Sequence, residues 1–369
     1  MSPGAGGPSP KPGPHGSAGV PRATLRRRSV LAFVGLCVVC VAVITVTVVR
    51  AVHDRGPRSG TGVAQDEATQ ISSGLLFRDT TLQRSFGRLA LAGASPGATR
   101  RITPLTCSRA SFAGGRGVCL TVKRNIISNY SALVFNERFD VERTIQLAGI
   151  PSRTRVSPSG DTAAITVFVL GHSYADHKFS TRTSFVDLRS GDVVEDMEQF
   201  TVTKDGSRVY SLDFNFWGVT FANDNRFFAT LGTAGRTYLV EGDLAARRVE
   251  IVRDDMECPS LSPDGSRIAF KKPVHSGLGP VRWRLAVLDL ASGDEHELAE
   301  TRNVDDQVVW LDDERILYAL TSDGEATPST DDGQASIATD LWVTPAAGSG
   351  RPEVYVHGAS SPAVVAASP

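Results

Sequence analysis

Charge is missing from one long stretch near the start of the chain, and acidic residues are missing from the segment before it. Residues 1–28 have no acidic or aromatic residue, whereas Pro and Gly fill twelve positions. Such a segment buries too little apolar surface to offset its ordering entropy, so we expect a disordered basic tail. The 21 residues of 29–49 have no charged side chain. A helix of that length spans about 30 Å, the thickness of a bilayer's hydrocarbon core, and the stretch therefore predicts a transmembrane helix.

The basic residues beside this predicted helix indicate its orientation. Several precede it without any acid, and the basic cluster that follows it, residues 50–55, is weaker. Because positive charge stays on the cytoplasmic side, we expect a cytoplasmic N-terminus, with the rest of the chain outside the cell membrane. A signal peptide cleaved near Val49-Arg50-Ala51 is the alternative. Signal peptides have apolar regions of about 7–15 residues, which favours an uncleaved anchor that contacts the lipid bilayer through residues 29–49.

The remainder of the chain lacks an excess of basic residues. From residue 59 onward, Asp and Glu outnumber Lys and Arg by 39 to 31. An acidic exterior argues against nucleic acid as a partner and against docking on anionic lipid. Residues 50–73 are rich in Gly, Ser and charge, and we expect a flexible stalk there. Lysine is also scarce, with 6 against 33 Arg. GC-rich coding sequences produce that bias, and we infer a bacterial source.

Cysteine is rare, and its five positions divide by compartment. Cys37 and Cys40 lie in the apolar stretch, where we interpret them as apolar filling, because thiolates are disfavoured in lipid. Cys107 and Cys119 flank a Gly-rich turn and could face each other across a hairpin. Outside the membrane a disulfide between them is permitted, and two free buried thiols are the alternative. Cys258 is interpreted as a buried small hydrophobe at the start of a strand.

Beyond residue 73 the sequence lacks convincing helical periodicity and instead alternates short strand-like runs with turn residues. The turn Ser262-Pro263-Asp264-Gly265 precedes the apolar run 268–270, and a similar turn at 157–160 precedes residues 163–165. Hairpins of similar sequence begin near residues 89, 132, 184, 237, 285 and 341. Their spacing of roughly 43–56 residues suits one four-stranded propeller blade each.

A second series of turns interleaves with these hairpins in the same phase. Its members lie between the predicted first and second strands of a blade, at residues 113–117, 157–160, 222–225, 262–265 and 311–314. The first unit lacks its opening turn, and a segment near 362–366 could supply the missing strand and close the ring. We therefore predict an all-β fold, a six-bladed β-propeller over residues 74–369, preceded by the disordered cytoplasmic tail and one transmembrane helix.

The run SLSPDGSRIAF, followed by RLAVLDLASGDEHEL, resembles the WD-type propeller repeat of the TolB-like family. The resemblance covers residues from about 74 to 357 and is strongest at 258–299 and 156–196. It implies a six-bladed propeller outside the cytoplasmic membrane. The N-terminal domain of the periplasmic family members is missing here, and the predicted anchor stands in its place.

Motifs for catalysis and metal binding are weak in this chain. Ser95 lies in a G-x-S-x-G pattern, but in a predicted hairpin turn with Pro96 after it, whereas a nucleophile elbow needs a following helix. His172 and His177 flank Asp176 without a third predicted ligand, and we interpret them as solvated loop residues. Four pairs of adjacent Asp residues lack the spacing of a calcium loop and are interpreted as solvated turns: 254–255, 305–306, 312–313 and 331–332. We predict no catalytic residue, no metal site and no cofactor. Most of the four Trp are expected to pack between blades, and a ligand-stacking surface is the alternative.

These observations favour a membrane-tethered, extracytoplasmic propeller that acts as a non-enzymatic binding or scaffolding module of the bacterial cell envelope. Its expected partner is a protein or another envelope ligand at one face of the propeller. The alternative is a propeller-type enzyme, such as a lactonase, lyase or cyclase, with acids at the mouth of the central channel. A third hypothesis, transmembrane signalling, is disfavoured because a 28-residue tail is too short for a folded cytoplasmic domain.

Overall fold

The computed structural model describes residues 69–71, 73–124, 128–169, 180–274, 281–327 and 336–365, together with the isolated helical positions 33, 35, 38 and 40. Contacts divide the chain into two units, residues 1–63 and residues 64–369. The predicted tail, most of the predicted transmembrane segment and most of the predicted stalk lie outside the described residues. Within the described part, no helix is long and apolar enough to cross a membrane.

Strands account for almost all regular structure in the second unit. The first three blades contain the strands β1 (Gly74–Asp79), β2 (Arg88–Ala92), β3 (Arg101–Thr106), β4 (Arg109–Ala113), β5 (Arg116–Arg124), β6 (Ser128–Asn136), β7 (Val141–Gln146), β8 (Ile150–Val156), β9 (Thr162–Val169), β10 (Ser180–Asp187) and β11 (Val193–Asp196). A single 3-10 turn, Met197–Gln199, follows β11. It is the one helical element in the described part of this unit.

The remaining three blades complete the ring. They contain β12 (Thr201–Lys204), β13 (Ser207–Val209), β14 (Asn215–Phe221), β15 (Arg226–Thr233), β16 (Arg236–Asp243), β17 (Arg248–Asp254), β18 (Glu257–Leu261), β19 (Arg267–Val274), β20 (Arg282–Asp289), β21 (Glu295–Glu297), β22 (Val309–Trp310), β23 (Arg315–Thr327), β24 (Ser336–Pro345) and β25 (Glu353–Val356). The last strand, β26 (Ala359–Val365), returns to blade 1. The sheets are β26-β1-β2-β3, β4 to β7, β8 to β11, β14 to β17 with β12 and β13 added, β18 to β21, and β22 to β25. This is the predicted all-β, six-bladed propeller.

The ring closes through strands from opposite ends of the domain. Strand β26 pairs antiparallel with β1, so that Gly74 lies opposite Val365 and Asp79 lies opposite Ala359. The C-terminal strand thereby becomes the first strand of blade 1, the strand that the sequence pattern lacked. The prediction that a segment near residues 362–366 closes the ring is confirmed.

The two predicted series of turns fall where the propeller needs them. The six predicted hairpins begin on the third strands of the blades, and the five opening turns join first to second strands. Opening turns of neighbouring blades also bond to each other. The N–H of Ser159 donates to Asp224 at 3.0 Å, and the N–H of Asp264 donates to Asp313 at 2.9 Å. Gly114, at φ +54°, packs so closely on Ser159 that a Cβ would lie 2.1 Å from its carbonyl carbon.

First strands are linked to each other by side-chain hydroxyl groups. Ser361 Oγ accepts the N–H of Ala110 at 3.2 Å, which joins blade 1 to blade 2. Val156 donates in the same way to Ser111 Oγ at 3.0 Å, and Leu261 to Thr220 Oγ1 at 3.1 Å. These N–H groups lie on the free edge of each sheet, where no further strand can accept them. The hydroxyl groups therefore satisfy edges that the propeller buries.

Apolar clusters fill the spaces between blades. Between blades 3 and 4, Phe185 and Phe227 are fully buried with ring centroids 4.9 Å apart. Trp310 packs between blades 5 and 6 and donates its indole N–H to the carbonyl oxygen of Ser260 at 2.8 Å. Trp342 packs against the same cluster, as predicted for the tryptophans. Trp283 instead lies under the ammonium group of Lys271, 4.5 Å from the ring centroid.

Two strands in blade 4 were not predicted. Strand β12 pairs in parallel with β17, with Thr201 opposite Arg248, and β13 pairs with β12 at the outer edge. Both strands are short, and much of their surface is exposed. Because β12 pairs with a strand more than 40 residues away, no local turn pattern marks it.

The packed domain begins before Gly74. Ile71 is buried, and its N–H donates to the carbonyl oxygen of Glu137 at 2.7 Å. The last residues of the segment predicted as a flexible stalk therefore pack on blade 2.

Cys107 and Cys119 form a disulfide with Cα atoms 5.3 Å apart. Cys107 lies in the connection between β3 and β4, Cys119 lies on β5, and both are buried. The bond ties the entry of blade 2 to the second strand of the same blade.

Thiol counting tests this pairing in the intact protein. Alkylation of the denatured chain without reductant should label three of the five cysteines, Cys37, Cys40 and Cys258, and prior reduction should expose all five. Reduction should also lower the free energy of unfolding by about 3 kcal/mol. The intact bond restricts the conformational entropy of the unfolded chain by about that amount, and reduction removes this restriction. Mass spectrometry and urea denaturation measure both effects. Five labels without reductant would contradict the bond.

Truncation tests the closure of the ring. A chain that ends after Gly358 lacks β26 and leaves β1 with an unpaired edge, so its free energy of unfolding should fall by about 5 kcal/mol or more, a large part of a domain's stability. A chain that ends after Val365 keeps β26 and serves as the control. Equal urea midpoints for the two truncated chains would show that the seam contributes little.

Candidate functional site

The first strands of the blades surround a small polar cavity at the propeller axis. Arg109 opens β4, while Arg153 and Arg155 lie two residues apart on β8 and so project to the same side. Asp306 and Gln307 reach the cavity from the connection before β22. The cavity has a volume of about 30 Å³, room for one or two water-sized groups.

Asp306 holds two of the three arginines. Its Oδ2 accepts from Arg109 at 3.3 Å and its Oδ1 accepts from Arg153 at 3.2 Å. The N–H of Gln307 also donates to Oδ1, at 2.9 Å. Burial alone raises the pKa of Asp306, but the two guanidinium groups and the N–H bond outweigh burial and hold this pKa below its usual value. Asp306 is therefore ionised and fully engaged at neutral pH.

Arg155 has no counter-charge among the described residues. Its Nε is buried and has no acceptor among the described residues, and the same is true of the hydroxyl group of the adjacent Thr154. Burial removes the guanidinium group from water and Arg153 repels it, so the pKa of Arg155 falls to about 10. The group still carries its proton at neutral pH. The described lining of the cavity therefore has a surplus of positive charge, and one of its donors has no acceptor within that part of the chain.

A second basic group lies beside the channel. Lys271 is buried on β19, and its Nζ lies 2.7 Å from Asp305 and 3.7 Å from Glu257. Burial lowers the pKa of Lys271, but Cys258 and the two carboxylates outweigh burial and raise it. Cys258 is fully buried on β18, as predicted. The cation and the acids here neutralise one another, unlike the group around Arg155.

A glycine allows the first strands of blades 4 and 5 to come into direct backbone contact at the axis. Gly218 on β14 has φ +65°, and a Cβ at this position would lie 2.7 Å from the Cα of Cys258. Any side chain at residue 218 would therefore push β14 and β18 apart at the axis.

The structure places the other sequence candidates away from this cavity. Ser95 is exposed between β2 and β3, and the turn that follows it leads to Ala98 and not to a helix, so the elbow geometry is lacking there. His172, Asp176, His177 and the Asp pair at 331–332 lie outside the described residues. Across the described ranges, no group of three or more His, Cys, Asp or Glu is placed to hold a metal ion.

One Asp pair was misinterpreted from the sequence. Asp305 is exposed as expected, but Asp306 is buried against the two arginines of the axis. The arginines themselves were also missed. Alternating Arg on β8, one strand before the opening turn at 157–160, was the available signal, since that position in a blade faces the channel.

Solved structures with a similar fold exist at low sequence identity. TolB from Acinetobacter baumannii aligns with a TM-score of 0.53 and 14% identity, covering 82% of this chain and 68% of that protein. A puromycin-hydrolysing peptidase from Mycobacterium tuberculosis aligns at 0.45 and 12%, covering 80% of this chain and 48% of the peptidase. An oligogalacturonate lyase in complex with manganese aligns with a TM-score of 0.41 and 10% identity, covering 72% of this chain and 75% of the lyase.

No family model matches the sequence, and a search of the curated proteins finds no match. Identity of 14% to TolB establishes shared architecture alone. The protein has a TolB-like six-bladed β-propeller fold.

Removing the carboxylate of Asp306 tests its role at the axis. Asp306→Asn leaves two largely buried guanidinium groups uncompensated, and we expect the free energy of unfolding to fall by about 3 kcal/mol. The pKa of Asp306 is lowered by folding, so its contribution is complete above the unfolded pKa of about 4 and is lost as pH falls below that value. The difference between the variant and the native protein should therefore shrink in acid. Urea denaturation at pH 7 and pH 3 measures it, with exposed Asp294→Asn as the control. A constant difference would contradict this role.

Proposed function

We propose that this chain is a membrane-tethered, extracytoplasmic propeller that acts as a non-enzymatic binding or scaffolding module of the bacterial cell envelope. The observation that carries the proposal is the surplus positive charge at the axis. Arg155 presents a buried donor with no acceptor in the part of the chain that the structure describes, beside two arginines that share one carboxylate. Such a group suits an anionic group on a ligand that docks at the channel mouth.

The chemistry of the arginines defines what the channel recognises. A guanidinium group offers planar, paired N–H donors that match the oxygens of a carboxylate or a phosphate. Asp306 fixes Arg109 and Arg153 on either side of it, so less conformational freedom is lost when a ligand binds. The small cavity admits a single anionic group, and the rest of the partner then rests on the face of the propeller.

The membrane tether in this proposal rests on the sequence. Residues 29–49 have no charge and basic residues precede them, a pattern typical of an anchor with a cytoplasmic N-terminus. The acidic balance of the rest of the chain fits an extracytoplasmic protein that does not bind nucleic acid. Cleavage of the segment as a signal peptide would leave the propeller outside the membrane but untethered.

The enzyme alternative requires a carboxylate at the channel mouth that is free to move a proton. Within the described lining of the axial cavity, Asp306 is the one carboxylate, and two arginines and a backbone N–H engage it. Its lowered pKa makes it a weak base. Binding is therefore the function that this cavity supports best.

Site-directed crosslinking in intact cells tests location and binding together. Thr301 is exposed in the connection that leads to Asp306, on the face of the channel mouth, whereas Ala291 is exposed in a turn at the opposite ends of the strands. Thr301→Cys and Ala291→Cys each receive a benzophenone maleimide that cannot cross membranes. Both should be labelled if the propeller lies outside, and Thr301→Cys alone should give a discrete crosslinked partner.

A further substitution connects the partner to the channel. Arg155→Met in the Thr301→Cys background removes the charge while keeping an apolar stem of similar length, and it should weaken the crosslink about tenfold, the effect expected for one charge-assisted hydrogen bond. Absence of labelling at both positions would contradict the extracytoplasmic location. Labelling without any adduct, or an adduct that is unchanged by Arg155→Met, would contradict binding through the channel.

A further inference from the structure

A second and larger cavity lies between blade 3 and the start of blade 4. It has a volume of about 310 Å³, within the range of small-molecule sites. Its lining comes from the start of β10, the end of β11 with the 3-10 turn, and the approach to β14, and includes Thr181, Arg182, Asp196, Glu198, Leu212 and Asp213. We call this cavity the side cleft. None of its residues lines the axial channel.

Glu198 places a carboxyl group in this cleft with a pKa close to neutral. Both of its oxygens accept the N–H of Thr183, at 3.0 and 3.2 Å. Burial raises the pKa of Glu198, and the nearby Asp196 raises it further, so that it reaches about 7 despite these N–H bonds. Burial and Asp196 therefore disfavour the ionised form of Glu198, and a cation placed beside its carboxyl group would favour that form.

The other charged side chains of the cleft already have hydrogen-bond or ion-pair partners. Arg182 donates from Nε to Asp196 at 3.0 Å, and its Nη2 also contacts this carboxylate. Asp213 accepts from Ser211 and from the N–H of Ala234, which helps to hold its pKa below the usual value. The lining thus has three carboxyl groups against one guanidinium group. Its surplus charge is negative, opposite in sign to that of the axial cavity.

Two further features of the cleft indicate the kind of ligand. Thr181 belongs to the lining, and its hydroxyl group is shielded from solvent without a partner among the described residues, so a donor that reached it from the cleft would satisfy it. Leu212 is fully exposed at 102%, and the nearby Tyr210 is 77% exposed. An acidic interior beside an exposed apolar side chain fits a ligand that has a cationic head and an apolar stem.

We propose that the side cleft binds an organic ammonium group on an apolar stem, with the ammonium against Glu198 and the hydroxyl of Thr181, and the stem against Leu212. A free alkylamine and a lysine side chain of a peptide present this same chemistry. The proposal stands on residues that the channel does not use, so it does not depend on the function proposed for the channel.

Calorimetry on the full chain tests the charge preference. The probes are n-butylamine and the uncharged 1-butanol, which share a stem, and Nα-acetyl-lysine methylamide as the peptide form. We expect the amine to bind at least tenfold more tightly than the alcohol at pH 8. Because Glu198 must be ionised to pair with the ammonium, affinity should rise about tenfold from pH 6 to pH 8.

Substitutions assign that preference to the cleft. Glu198→Gln should abolish both the preference for the amine and its pH dependence, whereas Glu353→Gln, the same change at an exposed site in blade 6, should leave both intact. Leu212→Ser alters a fully exposed side chain and so should not disturb folding. It should lower the affinity for n-butylamine about threefold to tenfold, because the stem loses an apolar contact.

The outcomes separate clearly. Equal binding of amine and alcohol, no binding of either amine probe, or a preference that survives Glu198→Gln would each overturn the proposal. Tighter binding of the lysine derivative than of n-butylamine would support it and identify a protein side chain as the source of the ammonium group.

Discussion

Hydrogen bonds between the first strands of neighbouring blades hold this propeller together at its axis. The first strand of each blade lies at the axis, and the edge that faces the axis has no further strand to pair with. A buried N–H without an acceptor costs about 1–3 kcal/mol, and hydroxyl groups of the next blade remove that cost, as Ser111 does for Val156. Such bonds join blade 1 to blade 2, blade 2 to blade 3 and blade 4 to blade 5, so they restrain the relative shift of these blades at the axis.

The sites of the molecule follow from this arrangement. Close approach of the inner strands leaves a very small axial cavity, so charges on those strands meet one another out of water. Asp306 offsets part of the positive charge, and the Nε of Arg155 has no acceptor among the described residues. The side cleft lies apart from this cavity, between blade 3 and the start of blade 4, and its surplus charge is negative.

Turn residues carried most of what the sequence could reveal. Ser-Pro-Asp-Gly and its relatives fix the chain direction locally, so their spacing gave the number of blades, the third strands and the closing segment. The turn residues could not predict which charged side chains are buried. Asp306 looks like one member of a solvated acidic pair, and Arg153 and Arg155 look like the polar side of an exposed strand. Their meeting depends on contacts between residues about 150 positions apart, which no local pattern encodes.

The seam between β1 and β26 has a consequence for the order of events during synthesis. Gly74 leaves the ribosome long before its pairing partner Val365, so the first strand has no neighbour on one side until the last strand is made. Pairing across so large a sequence separation is slow, and an unpaired strand edge invites association with other chains. Blades 2 to 6 need no such delay, since each contains strands that are continuous in sequence. A nascent chain that stops between β25 and β26 therefore holds five finished blades, an incomplete blade 1 and an open ring.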